Sequence, residues 1–75
     1  QDGLPFLDEV PIRFQIAEIF IRRGEASEGT TWLEGVVRLN PYHVKARQTL
    51  ANLYEQLGKP DRARAHRQAL PPAGS

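Results

Sequence analysis

Two histidines, His43 and His66, are present and cysteine is absent, so a metal site would have to be built from imidazole and carboxylate alone. Such a site needs three or four ligands converging on one point. The two histidines fall in different predicted helices, and both are expected to be surface or turn residues rather than ligands. Nucleophilic catalysis needs a Ser or Cys beside a base that a third group orients. Ser27 and Ser75 have no such setting; Ser27 suits a helix cap and Ser75 a tail. Glu25, Glu28 and Glu34 are separated carboxylates on one helix and its approach, which fits a solvated face better than an acid–base pair. No glycine-rich phosphate loop is present. The expectation is a protein that is not an enzyme and takes no cofactor.

The basic run Lys59, Arg62, Arg64, His66 and Arg67 has the composition of a phosphate-binding strip. No aromatic residue interleaves it to stack on bases. A solvated or partner-facing surface is therefore expected, not a nucleic-acid site. The net charge of +1 also argues against a general polyanion binder. Charge is uneven along the chain: residues 1–9 carry three acidic side chains and no basic one, and residues 44–75 carry six basic and two acidic. No apolar run approaches the ~20 residues that a membrane span requires, and no segment reads as a secretory signal.

These side chains must be carried by a small scaffold. A domain of 75 residues buries only ~60% of the surface its unfolded chain exposes, and without cysteine no disulfide can supplement the core. Residues 1–9 read as an irregular lead-in, with Gly3 and Pro5 as breakers and Leu4, Phe6 and Leu7 as an apolar patch. A helix is expected from Val10 or Pro11. Ile12, Ile16, Ile19 and Phe20 form one apolar face, and Phe14, Ala17 and Ile21 form a second stripe. Gly24 ends this helix. A second helix is expected from Ser27 to Leu39, with Gly29 as a close packing contact because glycine otherwise weakens a helix. Asn40 as cap and Pro41 as first residue predict a third helix to Leu57, stopped by Gly58. Pro60-Asp61 opens a fourth, which runs to about Leu70. Pro71-Pro72 ends it, leaving residues 71–75 as a flexible tail. Such short connections force neighbouring helices to be antiparallel.

The chain also resembles itself at a spacing of 34. Arg13 pairs with Arg47, Ile16 with Leu50, Ala17 with Ala51, Phe20 with Tyr54, Gly24 with Gly58 and Gly29 with Ala63. That is the period, and largely the residue pattern, of the tetratricopeptide repeat, which the chain resembles from about Val10 to Leu70. The first unit is residues 10–43 and the second 44–70. The resemblance implies an all-α fold of two tandem helix–turn–helix repeats, four antiparallel helices in an α–α superhelix. Small residues would allow close helix approach, and Phe20 and Tyr54 would fill gaps between layers. Three positions depart from the pattern. Arg13 and Arg47 stand where a large residue is expected and would lay their stems over a neighbour. Arg67 stands where an apolar residue belongs.

In that family the first helix of each repeat lines a concave groove that binds peptides or proteins. The resemblance thus implies a groove of Phe14, Glu18, Ile21 and Arg22 from the first unit, with Lys45, Gln48, Asn52, Glu55 and Gln56 from the second. Lys45 and Asn52 have the types of a carboxylate clamp found in some members, but the full constellation is incomplete here. Phe14 and Ile21 read either as core under the lead-in or as an apolar docking patch. The leading expectation is a scaffold or adaptor module for a protein or peptide partner, part of a larger protein. Two repeats are fewer than a stable stack usually has. Self-assembly is accordingly a second expectation, with Arg62, Arg64 and Arg67 as a face for head-to-tail stacking of a homo-oligomer. An accessory domain of an enzyme whose catalytic part lies elsewhere is a third.

Overall fold

A computed structural model describes residues 5–70, with side chains from Glu9 onward; residues 1–4 and the expected tail, 71–75, lie outside the described residues. Within them the chain forms four helices and no strand: α1 (Pro5–Arg22), α2 (Ala26–Leu39), α3 (Val44–Gln56) and α4 (Pro60–Gln68). α1 packs on α2, α2 on α3 and α3 on α4, so the helices are stacked in chain order.

The first helix starts earlier than the sequence pattern implies. Pro5–Glu9, expected to be irregular, are helical. Proline is suited to the first helical position because its missing N–H has no intrahelical partner there. Pro5 takes that role, and Pro11 lies inside the helix. Pro11 cannot donate to the carbonyl four residues earlier, but the helix runs through it all the same.

Both hairpins turn in the same way. Gly24 and Gly58 have φ of +80° and +78°, the left-handed region that glycine enters without a Cβ clash. The Glu25 N–H donates to the Phe20 carbonyl and the Gly24 N–H to Ile21; at the second turn Lys59 donates to Tyr54 and Gly58 to Glu55. This paired arrangement satisfies the orphan carbonyls of a helix end. The internal similarity of the sequence is thus a similarity of backbone geometry at both turns.

The connection between the hairpins differs from the expected one. Asn40 caps the end of α2 instead of opening α3, and its side chain accepts from the Tyr42 N–H at 3.3 Å. α3 begins at Val44, not Pro41, and its N-cap is His43, whose Nδ1 accepts from the Ala46 N–H at 3.1 Å. Ser27 is not a cap either. α2 begins at Ala26 after Glu25, with no side-chain cap bond. Ser27 instead presents its carbonyl to the hydroxyls of Thr30 and Thr31. α4 ends at Gln68, two residues short of Leu70.

Ten buried residues make one core: Ala17 from α1, Leu33, Val36 and Val37 from α2, Ala46, Leu50, Ala51, Leu53 and Tyr54 from α3, and Ala63 from α4. The small residues Ala17, Ala51 and Ala63 are buried, as close helix approach requires. Gly29 is buried as well, and a Cβ there would lie 2.7 Å from Ile21 Cγ1. Its bare backbone admits the Ile21 side chain.

Adding a methyl group at Gly29 sets crowding, worth about 1–3 kcal/mol, against a gain of about 1 kcal/mol in helix propensity. Gly29→Ala should therefore destabilise the parent by up to ~2 kcal/mol in chemical denaturation. On an Ile21→Ala background the same change should stabilise the fold by up to ~1 kcal/mol. Strictly additive effects would contradict this contact.

Candidate interaction surface

The α3 residues expected in the groove share one exposed face. Lys45, Gln48, Asn52, Glu55 and Gln56 are all exposed, whereas Ala46, Leu50, Ala51, Leu53 and Tyr54 turn inward. The side chains of Lys45, Gln48, Asn52 and Gln56 make no hydrogen bond or ion pair to another described residue. Glu55 is different, because its carboxylate takes an ion pair from Arg67 of α4.

The α1 residues are less accessible. Phe14 and Ile21 are half-buried and pack against the core, Glu18 is half-buried and Arg22 is exposed. Phe14 stacks on His43 with ring centroids 5.1 Å apart, which brings α1 to the start of α3. Of the two readings of Phe14 and Ile21, the described contacts are those of core, made with His43 and with Gly29. Leu4, Phe6 and Leu7, the expected partners on the core reading, fall outside the described side chains.

The α4 arginines are engaged within the chain. Arg67 pairs with Glu55, the Arg64 guanidinium lies 3.9 Å from Asp61, and Arg62 lies over the Tyr54 ring at 5.9 Å. All three remain exposed.

Two polar residues expected at the surface build a junction instead. Glu34 is half-buried and His66 is buried. One oxygen of Glu34, Oε2, accepts from the Tyr54 hydroxyl at 2.6 Å and meets His66 Nε2 at 3.2 Å. On the far side of the imidazole, Arg47 Nη1 lies 3.0 Å from His66 Nδ1, and Arg47 Nε donates to the Pro41 carbonyl at 3.0 Å. Guanidinium only donates, so Nδ1 is the acceptor and Nε2 carries the hydrogen given to Glu34. The imidazole also stacks nearly parallel on Tyr54, with centroids 5.7 Å apart. This junction joins α2, α3 and α4. It could not be read from the sequence because Glu34 lies 20 residues from Tyr54 and 32 from His66.

The first repeat holds a counterpart. Arg13 lies 6.0 Å over the Trp32 ring, and Trp32 stands 34 positions before His66 as Arg13 does before Arg47. Each hairpin thus sets an arginine of its first helix against a ring of its second. Arg13 lies over its ring, whereas Arg47 reaches its own through a hydrogen bond to the imidazole nitrogen. Beside these groups is an open cleft of about 440 Å³ lined by Arg13, Thr30, Trp32, Gly35, Arg38 and Tyr54, among others.

Comparison with protein-family models, curated proteins and solved structures found no match to this chain. Its function has to be read from the chain itself.

Burial pushes the Tyr54 hydroxyl up from 10.0 to about 12; the bond to Glu34 and its charge add to this, and Arg62 opposes it. An acid held neutral in the fold contributes its full stability while both states are protonated, below pH 10.0, and that contribution is lost as pH rises toward 12. In a Tyr42→Phe variant, tyrosinate absorbance should report Tyr54 alone and rise near pH 12, with stability falling between pH 10.0 and 12. Adding Glu34→Gln should lower the midpoint without bringing it to 10.0, because burial is the larger cause. A midpoint at 10.0 with Glu34 present would contradict the junction.

Proposed function

We propose that this chain is a tetratricopeptide-like interaction module that holds a peptide or protein partner along the exposed face of α3 and the adjoining side of α1. The observation that carries this reading is the row Lys45, Gln48, Asn52 and Gln56. It is a continuous set of amide and ammonium groups on a buried-backed helix, with no partner among the described residues. Such groups, held on a rigid element, can bond a partner's backbone or polar side chains without first breaking bonds within the chain. The tetratricopeptide-like reading is supported by the repeated glycine turn and by the buried small residues at matching positions.

Phe14 and Ile21 serve this surface as its floor: Ile21 packs at Gly29 of α2, and Phe14 stacks on His43 at the start of α3. The outer residues then set specificity. Glu18 and Lys45 give the two sides opposite charge, which favours a partner segment of mixed polarity over a polyanion. Among the described residues no three His, Asp or Glu side chains cluster as a metal site would require. Scaffolding is the function proposed, and catalysis is not.

Peptides selected from a random library against the chain should shift the amide resonances of α3 around Gln48 and Asn52. Asn52→Arg should weaken them by ~10-fold or more, as loss of a central contact does, with unchanged thermal stability. Selected peptides that bind equally well to Asn52→Arg, or that perturb α4 alone, would overturn this reading.

A further inference from the structure

α1 has apolar residues on two opposite sides, and the described residues cover one of them. Val10, Phe14, Ala17 and Ile21 face the core. Ile12, Ile16 and Ile19 are each displaced by two residues from a core-facing position, about 200° around the helix. Ile12 is 52% and Ile19 49% exposed. Ile16 and Phe20 are half-buried without packing on the core. The second repeat shows what these positions become when a helix lies against them. Leu50 and Tyr54, the equivalents of Ile16 and Phe20, are buried in the core that α2 and α3 share.

The uncovered face has the pattern of a helix-pairing seam. Glu9, Ile12, Ile16, Ile19 and Arg23 alternate spacings of three and four, the 3.5-residue repeat that keeps one stripe against a partner helix. Ile16 is its midpoint, with Glu9 seven residues before it and Arg23 seven after. A helix laid antiparallel on this seam about a two-fold axis at Ile16 sets Ile16 against Ile16 of the second copy and Ile12 against Phe20. It also sets Glu9 against Arg23 at both ends and Ile19 against Arg13. The seam is therefore apolar against apolar at its centre, through Ile12, Ile16 and Phe20, and complementary in charge at its ends, as an isologous interface requires. Within one chain, Glu9 pairs with Arg13 at 3.5 Å and Arg23 with Glu25 at 3.3 Å. The first is part-buried and the second exposed, and surface pairs of this kind contribute little.

We infer that α1 is the dimerisation helix of this protein, pairing antiparallel with α1 of a second copy. The helix α4 is a poorer cover. It presents Asp61, Arg62, Arg64, Arg67 and Gln68 to solvent, and burying these against isoleucine would strip water from charges with nothing gained in return. The proposed dimer leaves Lys45, Gln48, Asn52 and Gln56 open, so a two-fold assembly carries two copies of the α3 face.

Sedimentation equilibrium of the 75-residue chain over a wide concentration range should show a monomer–dimer equilibrium. Ile16→Glu should weaken it by ~100-fold or more with unchanged helix content, since Ile16 is not in the core. Glu9→Arg and Arg23→Glu should each weaken the dimer by ~10-fold, and the two together should restore it. Because the chain has no cysteine, Ile16→Cys supplies a single thiol, and mild oxidation should join two copies through it, whereas Arg64→Cys should not. A chain that stays monomeric throughout would overturn the inference. So would association that survives Ile16→Glu, or that is lost on converting Arg62, Arg64 and Arg67 to Glu and cross-links at position 64, which is head-to-tail stacking.

Discussion

One oxygen of Glu34 holds the second hairpin to the first. It takes the Tyr54 hydroxyl from α3 and the His66 imidazole from α4, and it stands on α2. A carboxylate in this position is stable because it is half-buried and accepts two donors at once. A buried tyrosine or histidine without an acceptor would lose the cost of its desolvation. The junction is thus worth most as a constraint: α3 can pack on α2 in few registers that satisfy all three groups. No described buried side-chain polar atom lacks a partner, so the polar part of this interface is complete.

Given that constraint, the rest follows from side-chain size. Ala46, Ala51 and Ala63 keep the second hairpin thin, and Leu33, Val36 and Leu50, all fully buried, fill the space between hairpins. The inward side of α3 is consumed by this packing. On its outward side Lys45, Gln48, Asn52 and Gln56 have no partner among the described residues, which is the basis for reading it as a partner surface. α1 differs because its second apolar side has no described neighbour, so the same helix that closes the core can also extend the assembly.

Much of this architecture is legible in the sequence, for identifiable reasons. Gly24 and Gly58 mark turns because few other residues enter the left-handed region cheaply, and both turns have that geometry. Gly29 marks a close approach because glycine in a helix needs a compensating contact, and Ile21 supplies it. Helix starts are less legible. Pro11 looks like a first-turn proline, yet Pro5 takes that position and Pro11 is interior. Asn40 looks like an N-cap, but an asparagine can equally bond the amide two residues on after a helix has ended, as it does here. The side of α1 that is covered could not be read at all. Periodicity groups Ile12, Ile16 and Ile19 on one face without saying which face meets the core. The Glu34 junction is equally hidden, since it joins residues that only the folded chain brings together.

Through this junction the two hairpins form one cooperative unit. Native-state hydrogen exchange measures it most directly. Buried amides of α2, at Leu33 and Val36, and of α3, at Leu50 and Leu53, should open with a common free energy. Glu34→Gln should lower that energy equally in both helices. If the α3 and α4 amides open well before those of α2, or if Glu34→Gln lowers only theirs, the hairpins are separate units and the account is wrong.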